Sequence, residues 1–263
     1  MSERLIVEYH ERICTLTLNR PKKRNALSPL LLGELRDMFN RLREEDAVRC
    51  VIIRGAGREA FSSGFDISDI PIDADPETAD PSGAEHPIDT GMEAIIAFPY
   101  PVIAMINGLA FGAGCELAVA CDIRISAEHA RFSFPPAKLG IVYRWRGVLK
   151  LIDIVGLAAA KEMFFTARVY DASEAREMGL VSHVLPDGQM DEYTLGMARE
   201  IAENAPLSLK ALKKIFNCAP TVRMRPEEAR ELEALRDQAL QSEDIREGRQ
   251  AFREKRKPVF RDR

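Results

Sequence analysis

A glycine-punctuated stretch from Pro101 to Tyr143, PVIAMINGLAFGAGCELAVACDIRISAEHARFSFPPAKLGIVY, constrains what this chain can fold into more than any other part of it. Val102 to Ile106 is a short apolar run with a proline before it and Asn107-Gly108 after it, the pattern of a strand buried on both faces. Gly108, Gly112 and Gly114 then turn the chain, and Glu116 to Cys121 reads as a short apolar helix. A strand that passes through a glycine turn into a helix exposes backbone N–H groups at the helix start, where negative charge is stabilised.

Other readings of this stretch fail on particular residues. A dinucleotide fingerprint needs a third glycine where Leu117 stands, and a phosphate loop needs Gly-Lys-Ser/Thr, which does not follow. The run from Phe98 to Cys121 is apolar but contains Asn107, Glu116, prolines and glycines, so a buried strand, turn and helix fits better than a membrane span.

At 263 residues with 46% hydrophobic content, the chain is long enough for one large domain or a domain with an appendage. Its 37 basic and 41 acidic residues give a net charge of −4, with no global attraction to nucleic acid or to an anionic membrane. The N-terminus MSERLIVEYHER carries charges where a secretory signal needs an apolar core, and a cytoplasmic protein is expected. The five cysteines, Cys14, Cys50, Cys115, Cys121 and Cys218, are odd in number and form no CxxC pair. They are expected to be core thiols, with no metal bound.

In chain order, Leu5–Tyr9 and Ile13–Leu18 read as a β-hairpin. Ser28-Pro29 is a helix start, with Ser28 as N-cap, and Leu31, Leu35, Met38, Phe39 and Leu42 mark the core face of a helix to about Arg43. Between them, Lys22, Lys23 and Arg24 form a basic turn, either solvated or placed to hold phosphates. Val48–Arg54 is a strand that feeds a small-residue loop ending in Ser62-Ser63-Gly64-Phe65-Asp66, in which Asp66 is expected to cap the turn that follows. Residues 70–89 are acidic and proline-bearing, and read as an exposed loop of the kind that serves as a lid. Ile123–Ala127 and Ala130–Phe134 are further strands, Val148–Phe165 and the segment opened by Asp171 are helices, and Val181–Leu185 closes the series. The recurring order of strand, turn and helix predicts an α/β fold with mostly parallel sheet. From about Leu195 onward, charged helix formers predict a helical segment that either folds over the core or binds another subunit.

Five motifs, in order, resemble those of the crotonase, or enoyl-CoA hydratase/isomerase, superfamily: LNRPKKRNALS, AFSSGFDI, INGLAFGAGCELAVACDIRIS, FTARVYDASEAREMGLVSHVLP and REGRQAFREKRKPVF. The resemblance spans the whole chain. It implies a spiral of ββα turns, with residues 1–195 as an acyl-CoA-binding catalytic core and 196–263 as a helical region that packs a homotrimer, often paired into hexamers. It also implies that Phe65 and Ala113 supply the two backbone N–H groups of an oxyanion hole around a thioester carbonyl, each worth about 3–4 kcal/mol to an enolate-like transition state. Coenzyme A, entering only as part of the substrate, is expected against Arg24, Ala26, Leu27, Ala60, Ser62, Asp66 and Ile67. Gly64, Gly112, Pro136, Leu139 and Arg144 complete the expected binding residues.

The departures from the family pattern narrow the chemistry. Hydratases of the family hold the attacking water between two glutamates. The first is present as Glu116, but Pro136 stands at the second position, and its side chain can neither donate nor accept a hydrogen bond. Tyr143, within PPAKLGIVY, is similar to the tyrosine of the family's malonyl-type decarboxylases, where it would hold the departing carboxylate with Arg144 or Arg146 beside it. Those decarboxylases carry histidine where this chain has Phe65. The expected activity is therefore decarboxylation of a malonyl-type acyl-CoA such as methylmalonyl-CoA, with hydration or isomerisation through Glu116 as the alternative. An RNA-binding member would need a comb of lysines on an early helix, whereas Glu34, Arg36, Asp37, Arg41, Arg43, Glu44 and Glu45 mix their signs.

Overall fold

The two β-branched runs at the start of the chain do form a hairpin in the computed structural model, which describes residues 3–66, 86–218, 227, 230, 234, 237 and 241–259. Along the chain come β1 (Leu5–His10), β2 (Ile13–Leu18), α1 (Pro29–Glu45), β3 (Cys50–Gly55), β4 (Ala60–Ser62), α2 (Pro87–Ala97), β5 (Val102–Ile106) and β6 (Leu109–Phe111). After these come α3 (Ala113–Ala120), β7 (Ile123–Ala127), β8 (Arg131–Ser133), α4 (Trp145–Thr166), β9 (Tyr170–Asp171), α5 (Ala172–Glu177), β10 (His183–Leu185), α6 (Met190–Glu203), α7 (Pro206–Asn217) and α8 (Glu243–Arg253). One sheet has the order β1-β2-β3-β5-β7-β10, in which only the β1–β2 pair is antiparallel, and a smaller one has the order β4-β6-β8-β9. No described helix is long and apolar enough to cross a membrane.

The described residues fall into two compact units, the first made of residues 3–66, 86–132 and 169–218, the second of 133–168 and the described residues beyond 220. In the first unit Ile13, Ile52, Ile103, Met105 and Ile125 of the large sheet pack against Met190, Ala198 and Ala202 of α6, so residue 195 lies within a helix seated on the sheet. Ser28 caps α1, its hydroxyl accepting the Leu31 N–H at 3.2 Å, and Pro29 occupies the first helical position. The buried face of α1 is Leu31, Leu32, Leu35, Phe39 and Leu42, while Met38 is only half-buried.

Three local expectations change. Residues 87–89, read as the end of a loop, are the first turn of α2: Pro87 presets φ, and His86 accepts the Ile88 N–H at 3.2 Å. Ile88, Met92 and Ile95 then fall on one buried face, and residues 70–85 of the expected lid lie outside the described residues. The helix expected from Val148 begins at Trp145, and Gly156, with φ 76°, breaks it. Four of the cysteines are buried, but Cys218 is exposed at the end of α7.

In the second unit the run after β8 makes a single 3-10 turn, Pro136–Leu139, closed by the Lys138 N–H to the Pro135 carbonyl at 3.1 Å and the Ile141 N–H to the Pro136 carbonyl at 3.0 Å. The Lys138 ammonium donates to the carbonyl of Ala167, just past α4, at 2.5 Å.

Candidate active site

Two glycines with positive φ shape the site in the first unit. Gly64 (φ 98°) ends the segment after β4, and a Cβ there would lie 2.7 Å from the Phe111 carbonyl oxygen and 3.4 Å from the Ala113 nitrogen. The bare backbone at Gly64 therefore sets the Gly64–Phe65 peptide against the Ala113 amide. Gly112 (φ 52°) is the N-cap of α3, and a Cβ there would meet nothing within 4 Å, so glycine is needed for its backbone angle and not for space. Gly114 brings the start of α3 onto Ser62, whose carbonyl oxygen would lie 2.3 Å from an added Cβ.

The helix starts earlier than the sequence suggests, at Ala113 and not near Glu116. Its apolar composition hid the cap, because Gly112 has no side chain to signal one. As a consequence Ala113 is the first helical residue, and its N–H has no intrahelical acceptor. On the facing segment Leu27 and Phe65 form an isolated parallel bridge, whose bonds run from the Leu27 N–H to the Gly64 carbonyl (2.8 Å) and from the Asp66 N–H to the Leu27 carbonyl (3.0 Å). The Phe65 N–H takes no part in that bridge. Two preorganised backbone donors of this kind are the arrangement that stabilises a developing oxyanion. Glu116 sits in the first turn of α3 and is buried.

Asparagines that sequence reasoning missed fix this geometry. Asn25 is fully buried at φ 55°; its Oδ1 accepts the Arg20 N–H at 3.0 Å, and its Nδ2 donates to the carbonyls of Ala60 (2.7 Å) and Ala56 (3.0 Å). Asn107 accepts the Gly55 N–H at 2.9 Å and donates to the carbonyls of Gly55 (2.8 Å) and Gly57 (2.7 Å). Together they clamp the loop between β3 and β4 that delivers Ser62 and Gly64. The only local sign was an Asn-Ala and an Asn-Gly dipeptide, which read as ordinary turns.

The basic turn is partly spoken for. Asp66 Oδ2 accepts from Arg20 at 2.7 Å and from Lys23 at 3.1 Å, with the carboxylate buried. This engagement comes from the residues before it, and the turn that Asp66 was expected to cap lies outside the described residues, as does Ile67. Lys22 and Arg24 are exposed, Arg24 in left-handed backbone at φ 49°. Ala26, Leu27, Ala60, Ser62 and Gly64 are all buried.

Of the remaining candidates, Pro136, Leu139, Tyr143 and Arg144 belong to the second unit. Pro136 is buried at the head of the 3-10 turn and Leu139 half-buried at its end. The Tyr143 ring packs edge-on to Phe134 (centroids 5.8 Å apart) and against Phe164 (5.4 Å), with its hydroxyl oxygen shielded from solvent. Arg144 is the N-cap residue of α4, and the Arg146 guanidinium lies over the Trp145 ring at 5.3 Å.

Residues 8–263 match the family model described as "Enoyl-CoA hydratase/isomerase". The chain belongs to the enoyl-CoA hydratase/isomerase family. It is 37% identical to the carnitinyl-CoA dehydratase of Citrobacter koseri over the full length of both chains. It is 32% identical to the methylmalonyl-CoA decarboxylase of Escherichia coli, covering 95% of this chain and 94% of that one. Among solved structures, a methylmalonyl-CoA decarboxylase in complex with 2-nitronate-propionyl-CoA superposes with a TM-score of 0.91 at 29% identity over all of both chains. An enoyl-CoA hydratase from Bacillus anthracis gives 0.75 at 32% identity, covering 99% of this chain and 100% of that one. The α/β architecture is that of the crotonase-like enzymes, and as a family member this chain is an acyl-CoA-processing enzyme.

Proposed function

We propose that this enzyme decarboxylates a malonyl-type acyl-CoA such as methylmalonyl-CoA. The observation that carries the reading is Pro136, buried at the head of its turn where hydration would require a second carboxylate. Decarboxylation requires less. The bond between the α-carbon and the carboxylate breaks, its electron pair moves into the thioester to form an enolate, CO2 leaves, and solvent returns a proton to the α-carbon. The Phe65 and Ala113 N–H groups take the enolate oxygen's charge, and the Tyr143 hydroxyl donates to the departing carboxylate with Arg144 as a charge partner. Coenzyme A is held through Arg24, Ala26, Leu27, Ala60, Ser62 and Ile67, and through the backbone of Asp66, whose carboxylate is committed to Arg20 and Lys23. Leu139 and the glycines at 64 and 112 border the acyl group. The higher structural similarity to the decarboxylase complex supports the same reading.

A second reading, hydration or dehydration through Glu116, is favoured by the 37% identity to carnitinyl-CoA dehydratase. It asks one carboxylate to do work that normally takes two. A competition assay decides between them: CO2 release from methylmalonyl-CoA is expected to outpace hydration of crotonyl-CoA, and rapid hydration without CO2 release would reverse the assignment. Glu116→Gln should abolish any hydratase activity while leaving most of the decarboxylation. We further propose a homotrimer or a hexamer, supported by the apolar face that α7 exposes through Leu212, Ile215 and Phe216.

A further inference from the structure

We propose that Gly248, far along the chain on α8, is a positioning residue for Tyr143 and acts through the Pro136–Gly140 turn. The inference rests on the role proposed above for Tyr143. α8 buries Ile245, Gly248 and Ala251, one face at helical spacing. On that face the helix backbone meets the turn backbone directly. A Cβ at Gly248 would lie 2.6 Å from the carbonyl carbon and oxygen of Leu139. A Cβ at Gly140 would lie 2.8 Å from the carbonyl of Asp244 and 2.9 Å from the nitrogen of Ile245. The two glycines thus remove side chains from both partners of one contact, about one helical turn apart on α8. Gly140 also needs its φ of 66°.

A second support of the turn is the Lys138 bond to the Ala167 carbonyl. Held between these supports, the turn ties in the Ile141 N–H and leads to Tyr143 three residues beyond Gly140. Displacement of Leu139 and Gly140 by an added methyl is therefore passed along a short, internally bonded segment to the Tyr143 ring. A displacement of this size at a group that must meet one substrate carboxylate lowers turnover more than binding, because the thioester and its carrier are held elsewhere.

The substitution carries an internal control of sign. Alanine is the better helix former, so with Leu139 2.6 Å from the added methyl Gly248→Ala stabilises α8 if the turn yields freely and strains it if the turn is held. The experiment measures kcat and KM for CO2 release from methylmalonyl-CoA, together with Tm, for the full-length protein and for Gly248→Ala, Tyr143→Phe, the double variant and the exposed-face control Arg246→Ala. Gly248→Ala is expected to lower kcat at least tenfold with KM within twofold, and to add nothing further in the Tyr143→Phe background. Arg246→Ala should behave as wild type. Full additivity of the two substitutions, or a raised Tm with unchanged kcat, overturns the inference. Wild-type turnover in Tyr143→Phe instead removes the functional reading of Tyr143, and the inference falls with it; the Gly248→Ala data do not produce that outcome. Should Gly248→Ala fail to fold, Ile245→Val trims the same buried seat, and a twofold to fivefold loss of kcat that disappears in the Tyr143→Phe background is the expected result.

Discussion

The glycine turns of the first unit and the Pro136–Tyr143 turn of the second build their candidate chemistry from different materials. At Gly64 and Gly112 the candidate groups are backbone amides, and the sequence has only to bend the chain and leave side chains out. In the second unit the candidate group is the Tyr143 hydroxyl, whose ring packs among aromatic neighbours and whose preceding turn meets, at Leu139 and Gly140, a helix about a hundred residues further on. Backbone chemistry is thus written locally as a motif. Side-chain chemistry is written in packing, so single substitutions should affect the two regions differently.

The largest effect is expected of Ala113→Pro. Proline is tolerated at the first helical position and replaces the N–H with a ring carbon, so the protein should fold while kcat falls at least about a hundredfold. Near-normal turnover of a folded variant would show that this amide is not the donor. Next in size is Asn25→Ala, which strands the buried carbonyl of Ala60 and removes the partner of the part-buried Arg20 N–H and Ala56 carbonyl. A buried group left unsatisfied costs about 1–3 kcal/mol and a part-buried one less, so a loss of about 2–3 kcal/mol in chemical denaturation is expected; a change below about 1 kcal/mol would mean that the clamp is dispensable.

A paired substitution then separates angle from space within the glycine turns. Gly112→Ala meets only an unfavourable backbone conformation, φ 52° and ψ −121°, and should cost about 1–3 kcal/mol, whereas Gly64→Ala adds a clash with the Phe111 carbonyl and should cost more and lower kcat as well. Equal effects in parallel melts would remove the distinction. The smallest effect is a labelling rate. Burial pushes the Cys14, Cys50 and Cys121 thiols up to about 12, so they hold almost no thiolate near neutral pH. The exposed Cys218 should therefore react first with a thiol reagent in the native protein, the other three only after denaturation. Rapid labelling of Cys14, Cys50 or Cys121 in the native state would contradict the packing described for the first unit.

Much of this arrangement could be read from the chain alone, and the reason is the same at each place. Ser28-Pro29, the β-branched run Val102–Ile106, the glycines at 64 and 112 and the helix start at Asp171 all act within a few residues of themselves, through backbone angles or local hydrogen bonds. The family motifs, too, are made of such local features. What only the tertiary structure decided has distant partners: Asn25 reaching Ala60, Asn107 reaching Gly57, Asp66 held by Arg20 and Lys23, and Lys213 buried against Asp122 at 2.7 Å. The start of α3 at Ala113 and the seat of Gly248 on Leu139 belong with them. A residue's type limits which bonds it can make, but which backbone comes within reach is set by chain segments brought together only on folding, and no local pattern records that approach.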